Sequence, residues 1–237
     1  MSGRQLGLPF EHDAHYADAD FLQAPSNAEA WAWLDAPWPG GRLAIWGAEA
    51  SGKTHLLHIW ARRAGAAVLH GPCLRGWQAL RGPVAIDDAD LRGADLSGAE
   101  ALLHLLNAAA EAGWPVLLGG REPPARWAVR LPDLASRLRA TSAVRLGVPD
   151  DALLRALLAR LLSERQLAVA APVQEWLLQR LPRQAGAVRE AVARLDRAAL
   201  AAGGPVTRGL AQAVLPADLE SFAEEAGHGS PGDALLL

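Results

Sequence analysis

The chain has 237 residues, 51% of them hydrophobic, enough to bury one sizeable core and a smaller second one. With 23 basic against 26 acidic residues the formal charge is −3, so no global attraction draws the chain to nucleic acid or to an anionic membrane, and any contact with DNA is expected to be indirect. The single cysteine, Cys73, excludes an internal disulfide framework, and apolar stretches such as 99–110 are broken by Glu100, His104 and Asn107. With no signal-peptide-like run at the start, these features predict a cytoplasmic protein without a membrane span.

Near the start, Gln5-Leu6-Gly7-Leu8-Pro9-Phe10 has the makings of a docking peptide. Leu8 and Phe10 can enter an apolar groove in extended form, Pro9 reduces the ordering cost, and the Gln5 amide can make paired hydrogen bonds at one end. A frayed tail, or a first strand packing on the core, fits the same six residues.

Gly41 to Trp46 reads as a buried strand, and Thr54 to Ala61 continues with helical apolar spacing. Between them Gly47-Ala48-Glu49-Ala50-Ser51-Gly52-Lys53-Thr54 is a complete G-x-x-x-x-G-K-[ST] phosphate loop. Lys53 is the only lysine among the 23 basic residues. Arginine serves wherever a positive charge alone is needed, whereas a compact ammonium fits between β- and γ-phosphates better than a planar fork. Backbone N–H groups and the helix N-terminus would hold phosphate, and the Thr54 hydroxyl would ligate magnesium. The histidine pairs His12/His15 and His55/His58 lack partners at zinc-site spacing.

Ala66 to His70 is a second predicted strand and Gly82 to Asp88 a third, ending in two carboxylates. An apolar strand that delivers acid to its C-terminal edge is the Walker B arrangement, with Asp87 holding magnesium through water and Asp88 orienting the attacking water. Ser97-Gly98-Ala99-Glu100 reads as a capping box opening an amphipathic helix that stops at Gly113. A fourth strand, Pro115 to Gly119, and a fifth, Ser142 to Leu146, follow. Alternation of strands and helices predicts an α/β fold, a parallel sheet wrapped by helices with ligand at the carboxyl ends of the strands. From Asp151 the character changes, and helices are predicted over 151–164, 173–180, 187–202 and 207–214, a small all-helical second domain. After Leu215 the chain turns acidic and rich in Gly, Ser and Pro, an expected disordered tail.

A phosphate-loop domain followed by a helical lid resembles the AAA+ layout, and the wording resembles the DnaA-related AAA+ family, most closely its Hda branch of regulatory inactivators of DnaA. Leu131-Pro132-Asp133-Leu134-Ala135-Ser136-Arg137-Leu138 looks like the arginine-finger segment, Gly186-Ala187-Val188-Arg189-Glu190 like sensor II of the lid, and residues 5–10 like the peptide that binds the sliding clamp. The resemblance implies an AAA+ domain over 16–148, a helical lid over 149–215, a clamp-binding segment over 1–15 and a tail over 216–237. It implies nucleotide contacts from Gly47, Ala48, Glu49, Ala50, Ser51, Gly52, Lys53, Thr54, His55 and Arg189, with magnesium at Thr54 and Asp87. The resident nucleotide would be ADP or ATP, with ADP the active form. Asp88 and, acting in trans, Arg137 would be catalytic, and Gln5, Leu6, Leu8, Pro9 and Phe10 would bind the β subunit clamp of DNA polymerase III. The implied partners are DnaA and that clamp, with a homo-oligomer left open.

Two departures bear on activity. Gly119-Gly120-Arg121 stands where a polar sensor I motif is expected, and Asp88 is shorter than the usual glutamate, so weak intrinsic hydrolysis is expected. Nothing after Leu215 resembles an origin-reading helix-turn-helix, which makes a regulator the expectation rather than an initiator. A self-sufficient ATPase of the DnaA or helicase-loader kind, and a phosphate-loop kinase, remain open on the residues alone.

Overall fold

In three of the central segments apolar residues alternate between two destinations. A computed structural model describes residues 21–76, 80–91 and 96–215, and shows these segments as neighbouring strands. Strands β1 (Arg42–Trp46), β2 (Ala67–His70), β3 (Val84–Asp87), β4 (Val116–Gly120) and β5 (Ser142–Arg145) form one parallel sheet in the order β2-β3-β4-β1-β5. Because successive side chains leave a strand on opposite faces, Leu43, Ile45, Ala85 and Leu117 enter one core, and Ala44, Val84, Ile86, Val116 and Leu118 the other. Both faces are therefore apolar, and both need helices.

Helices α1 (Ala28–Leu34) and α2 (Lys53–Ala64) cover the first face through Ala30, Leu34, Leu56, Leu57 and Trp60. Helices α3 (Leu96–Ala112) and α4 (Pro132–Arg139) cover the second through Leu102, Leu105, Leu106, Leu134 and Leu138. The five strands match their expected positions to within two residues at either end. The capping-box reading is corrected, since Ser97 already lies inside α3, whose first described residue is Leu96, while Gly113 ends the helix at φ 69° as a left-handed C-terminal residue does.

Helices α5 (Asp151–Glu164), α6 (Ala171–Arg180), α7 (Ala185–Ala202) and α8 (Arg208–Val214) share a separate core that includes Leu158, Leu177, Val188, Val192 and Leu195. Asp150 caps α5 by accepting from Leu153 N at 2.7 Å, and Thr207 caps α8 by accepting from Leu210 N at 3.2 Å. Arg165 at the end of α5 pairs with Asp196 on α7 at 3.0 Å. Among the described residues no helix is long and apolar enough to cross a membrane. Residues 5–10 and the acidic stretch after Leu215 lie outside the described residues.

Leu195 has no solvent exposure and sits on the face of α7 that closes this helical core. Leu195→Ala should cost about 2–5 kcal/mol, a transfer loss plus the cavity left behind, read as a shifted denaturation midpoint of the helical signal.

Candidate functional site

A strand that must hand its chain to a helix within six residues needs backbone shapes that most side chains resist. Between β1 and α2, Ala50 takes φ 54° and Gly52 takes φ 104°. The loop is fastened to the sheet on one side, with Gly47 N donating to Gly120 O at 3.2 Å. On the other side a Cβ on Gly47 would lie 2.4 Å from Leu146 O, so only glycine permits this approach. Lys53 is the first residue of α2, is 7% exposed, and its Nζ donates to Gly47 O at 3.0 Å and Ala48 O at 2.7 Å. Burial pushes its ammonium pKa down, while the Asp87 and Asp88 carboxylates push it back up.

Next to it, the Thr54 hydroxyl donates to Asp87 Oδ2 at 2.6 Å. Thr54 belongs to α2 and Asp87 to β3, and β4 lies between β3 and β1, so this bond passes the end of an intervening strand. It can do so because that strand carries Gly119 there: a Cβ on Gly119 would lie 2.9 Å from Asp87 Oδ1 and 3.2 Å from Leu57 Cδ2. The sequence marks Gly119 only as the end of a strand and the start of a missing sensor; the signal it carries is a glycine in an apolar strand, which marks a close approach.

Asp87 Oδ1 accepts from Asp88 N at 3.0 Å, and Ala89 N donates to Gly119 O at 2.7 Å, holding the turn after β3 against β4. Within that turn Asp88 takes φ 48° and points toward His70, with Oδ2 3.7 Å from Nδ1. Burial, and after it the charge of Asp87, pushes the Asp88 carboxyl above its ordinary value. Among the described residues no group of three or more His, Cys, Asp or Glu could hold a metal by itself. Thr54 and Asp87 nonetheless fit magnesium, which keeps several waters and takes its remaining oxygens from phosphate.

From the helical C-terminal part, Arg189 on α7 brings Nη2 to 3.2 Å from His55 Nδ1. A guanidinium only donates, so Nδ1 accepts and a neutral His55 ring carries its proton on Nε2. His55 is 7% exposed and lies edge-on to Phe21, ring centroids 5.7 Å apart. The spacing of His55 and Arg189 in the chain hides this contact; the structure places sensor-like Arg189 one residue from Thr54. The stretch 22–27 joins the same region, because Asn27 accepts from Ala24 N and donates to Leu22 O, both at 2.9 Å, while Ser26 O accepts from Gly147 N at 2.9 Å. No sequence signal had singled out Asn27.

At the end of β4, Arg121 Nη1 is 2.8 Å from Glu49 Oε2 of the phosphate loop, and Arg121 N donates to Asp90 Oδ2 at 3.1 Å. Arg137 is elsewhere. It lies on α4, its carbonyl accepts from Thr141 Oγ1 at 2.9 Å, and no ion pair holds it among the described residues. Its nearby charge adds to burial in lowering the pKa of Arg42, whose Nε is buried with no hydrogen-bond partner. Arg42 begins β1 and the phosphate loop follows its end, about 13 Å away at strand rise, so Arg137 sits at the opposite end of the sheet from the loop of its own chain. The residues gathered at the loop are thus Glu49, Lys53, Thr54, Asp87, Asp88, Arg121 and Arg189, and Arg137 is not among them.

No known family profile matches the sequence. Solved structures share the fold: domain III of the replication initiation protein DnaA from Thermotoga maritima superposes with a TM-score of 0.69 at 17% identity, covering 90% of this chain and 98% of that one. DnaA from Aquifex aeolicus bound to AMPPCP gives 0.60 at 15% identity, over 76% of this chain and 65% of that one. RuvB, the Holliday junction branch migration motor of Thermotoga maritima, gives 0.58 at 18% identity, over 76% of this chain and 63% of that one. At such identities the likeness is one of fold: an AAA+-like parallel sheet flanked by helices, with a C-terminal helical part.

The Asp88 carboxyl has a testable pH signature. Its folded pKa is raised, so the folded state binds more protons than the unfolded one between the two values, and stability falls as pH rises through that window. Asp88→Asn removes this penalty and suits φ 48°, a conformation asparagine tolerates. The variant should melt higher than wild type at pH 7, with the advantage shrinking toward pH 4; a Tm difference constant across that range would assign the whole gain to the backbone.

Proposed function

We propose that this chain is an Hda-type regulator, a nucleotide-bound AAA+ module that stimulates ATP hydrolysis by DnaA and so restrains replication initiation. In this reading residues 16–148 form the nucleotide-binding domain and 149–215 its helical lid. Residues 1–15 carry the clamp-binding segment, in which Gln5, Leu6, Leu8, Pro9 and Phe10 dock on the β clamp of DNA polymerase III, and 216–237 are an acidic tail.

The observation that carries the proposal is the position of Arg137. It is unpaired among the described residues and lies at the far end of the sheet from its own phosphate loop, beside Arg42. A guanidinium so placed cannot serve its own nucleotide, but it can face the nucleotide of a neighbouring subunit, where it would stabilise the charge spread over a transferring γ-phosphoryl. The loop itself supports binding of ADP or ATP: backbone N–H groups and Lys53 would hold phosphates, Thr54 and Asp87 magnesium, and Arg189 would bring the lid against the phosphates. That the superposed Aquifex aeolicus DnaA binds AMPPCP supports the same class of ligand. Lys53→Ala should abolish ADP and ATP binding in calorimetry and remove the nucleotide-dependent rise in Tm; unchanged affinity would reject the site.

A second reading, a self-sufficient ATPase, is favoured by the complete Thr54–Asp87–Asp88 arrangement. The two separate in one assay, ADP formation by ATP-loaded DnaA with clamp on DNA. Arg137→Ala should keep nucleotide binding yet lose stimulation by about 10³-fold or more, roughly 4 kcal/mol of transition-state stabilisation, and Arg137→Lys should recover little. Asp88→Asn should leave the stimulation nearly unchanged. An inactive Asp88→Asn beside an active Arg137→Ala would establish the motor instead. Replacing Gln5, Leu8 and Phe10 with alanine should abolish clamp pull-down without changing nucleotide affinity, because those residues precede the nucleotide-binding domain.

A further inference from the structure

Helix α6 ends on Arg180 and helix α8 opens on Arg208, and both guanidinium groups lie over one indole ring, that of Trp176. The guanidinium carbon of Arg180 is 4.7 Å from the ring centroid and that of Arg208 is 5.6 Å from it. Trp176 is itself 9% exposed and belongs to the helical core, so it anchors both side chains where that core meets solvent. Attraction to the π system holds each cation, yet the two like charges repel each other. Both arginines are exposed, and neither has a carboxylate partner among the described residues. By contrast Arg155, Arg160, Arg165, Arg183, Arg194 and Arg197 of the same helical part each meet one. No acidic residue occurs from Trp176 to Arg189 or from Arg197 to Leu215, so neither flanking stretch can neutralise the pair.

The next acids in the chain come just past the end of α8. Beyond Leu215 the sequence has Asp218, Glu220, Glu224, Glu225 and Asp233 but no lysine or arginine. We propose that the stretch 216–225 folds back onto this face of α6 and α8, and that its carboxylates are the anions held by Arg180 and Arg208. Leu215 fixes where the stretch starts: it is 8% exposed, and its N donates to Ala211 O at 3.0 Å. From Arg208 to Leu215 the helix runs about 10 Å at ~1.5 Å per residue, and an extended chain covers ~3.3 Å per residue. Asp218 and Glu220 are therefore the first carboxylates able to return the length of α8, and Glu224 and Glu225 can reach on to Arg180. Exposed ion pairs are weak one at a time, but a tether keeps the local concentration of these carboxylates high, so the face stays occupied without a second molecule. The helical part thereby carries its own anionic ligand, and an outside polyanion reaches the Trp176 face only by displacing it.

Lys53 is the only lysine in the chain and is 7% exposed. Arg208→Lys in the full-length protein therefore puts an accessible side-chain amine on this face, and a carbodiimide joins an amine directly to a carboxylate that it touches. Mass spectrometry should find position 208 linked to Asp218, Glu220, Glu224 or Glu225 of the same molecule. The yield should fall about fivefold or more at about 1 M salt, where the screening length is ~3 Å. A link to a second copy of the chain, a link only to carboxylates before residue 216, or no link would each overturn the proposal. Hydrogen exchange gives an independent reading on a protein whose described residues are all native. Asp218→Asn, Glu220→Gln, Glu224→Gln and Glu225→Gln together should speed amide exchange in α8 about threefold at low salt, and the difference should vanish at about 1 M. Exchange in α8 that matches wild type at low salt would equally reject the contact.

Discussion

The hydrogen bond from Thr54 to Asp87, 2.6 Å long, ties the first turn of the phosphate-loop helix to the end of a strand that is not its neighbour. Everything at the site is arranged around that crossing. It requires β3 and β1 to flank β4 in parallel register, Gly119 to leave the space between them open, and α2 to start at Lys53 so that the next residue faces the sheet edge. A methyl group at Gly119 would reach both Asp87 and Leu57, disturbing the Thr54–Asp87 hydrogen bond and the packing of α2 together. The same residue thus serves the buried core and the polar edge.

Outward from this bond the charges alternate. Lys53 lies over the loop carbonyls, Asp87 and Asp88 stand at the end of β3, and Arg121 pairs with Glu49 beyond them. Glu49, Asp87, Asp88 and Asp90 stand near Lys53 and Arg121 at the mouth of the loop, and the raised pKa of Asp88 reflects burial first and then the charges of Asp87 and Asp90. A polyphosphate with magnesium suits such a place, since the metal satisfies the carboxylates and the phosphates satisfy the cations.

Two long-range contacts bring the C-terminal helices into this arrangement. Arg189 reaches His55 from α7, and the 22–27 stretch packs Leu22 against the C-terminal core while Ser26 accepts from Gly147 at the end of β5. A ligand between the loop and these helices would bear on both, which gives the orientation of the helical part a physical dependence on the site. Arg137 stands outside that circuit. Its neighbour at the start of β1 is another cation, Arg42, whose pKa burial and the charge of Arg137 both lower.

Local pattern was enough for much of this. Short apolar runs identified all five strands, the change of character after Asp150 identified α5 to within the residue, and the G-x-x-x-x-G-K-T spacing located the loop, because each signal is local in the chain. The capping-box reading at Ser97 failed for the same reason: four residues can satisfy a local rule while the chain before them is already entering the helix. α1 and α4 escaped notice, although α8, no longer than α1, did not. What the chain alone supplied was therefore the set of candidate residues, Lys53, Thr54, Asp87, Asp88 and the separate Arg137. Only the tertiary structure decided who meets whom: the Gly119 gap beneath Thr54–Asp87, the pairing of Arg121 with Glu49, the reach of Arg189 to His55 across 134 positions, and the placing of Arg137 at the far end of the sheet. These depend on strand order and on the absence of side chains at particular crossings, and strand order is set by the packing of two apolar faces at once, which no local stretch of sequence contains.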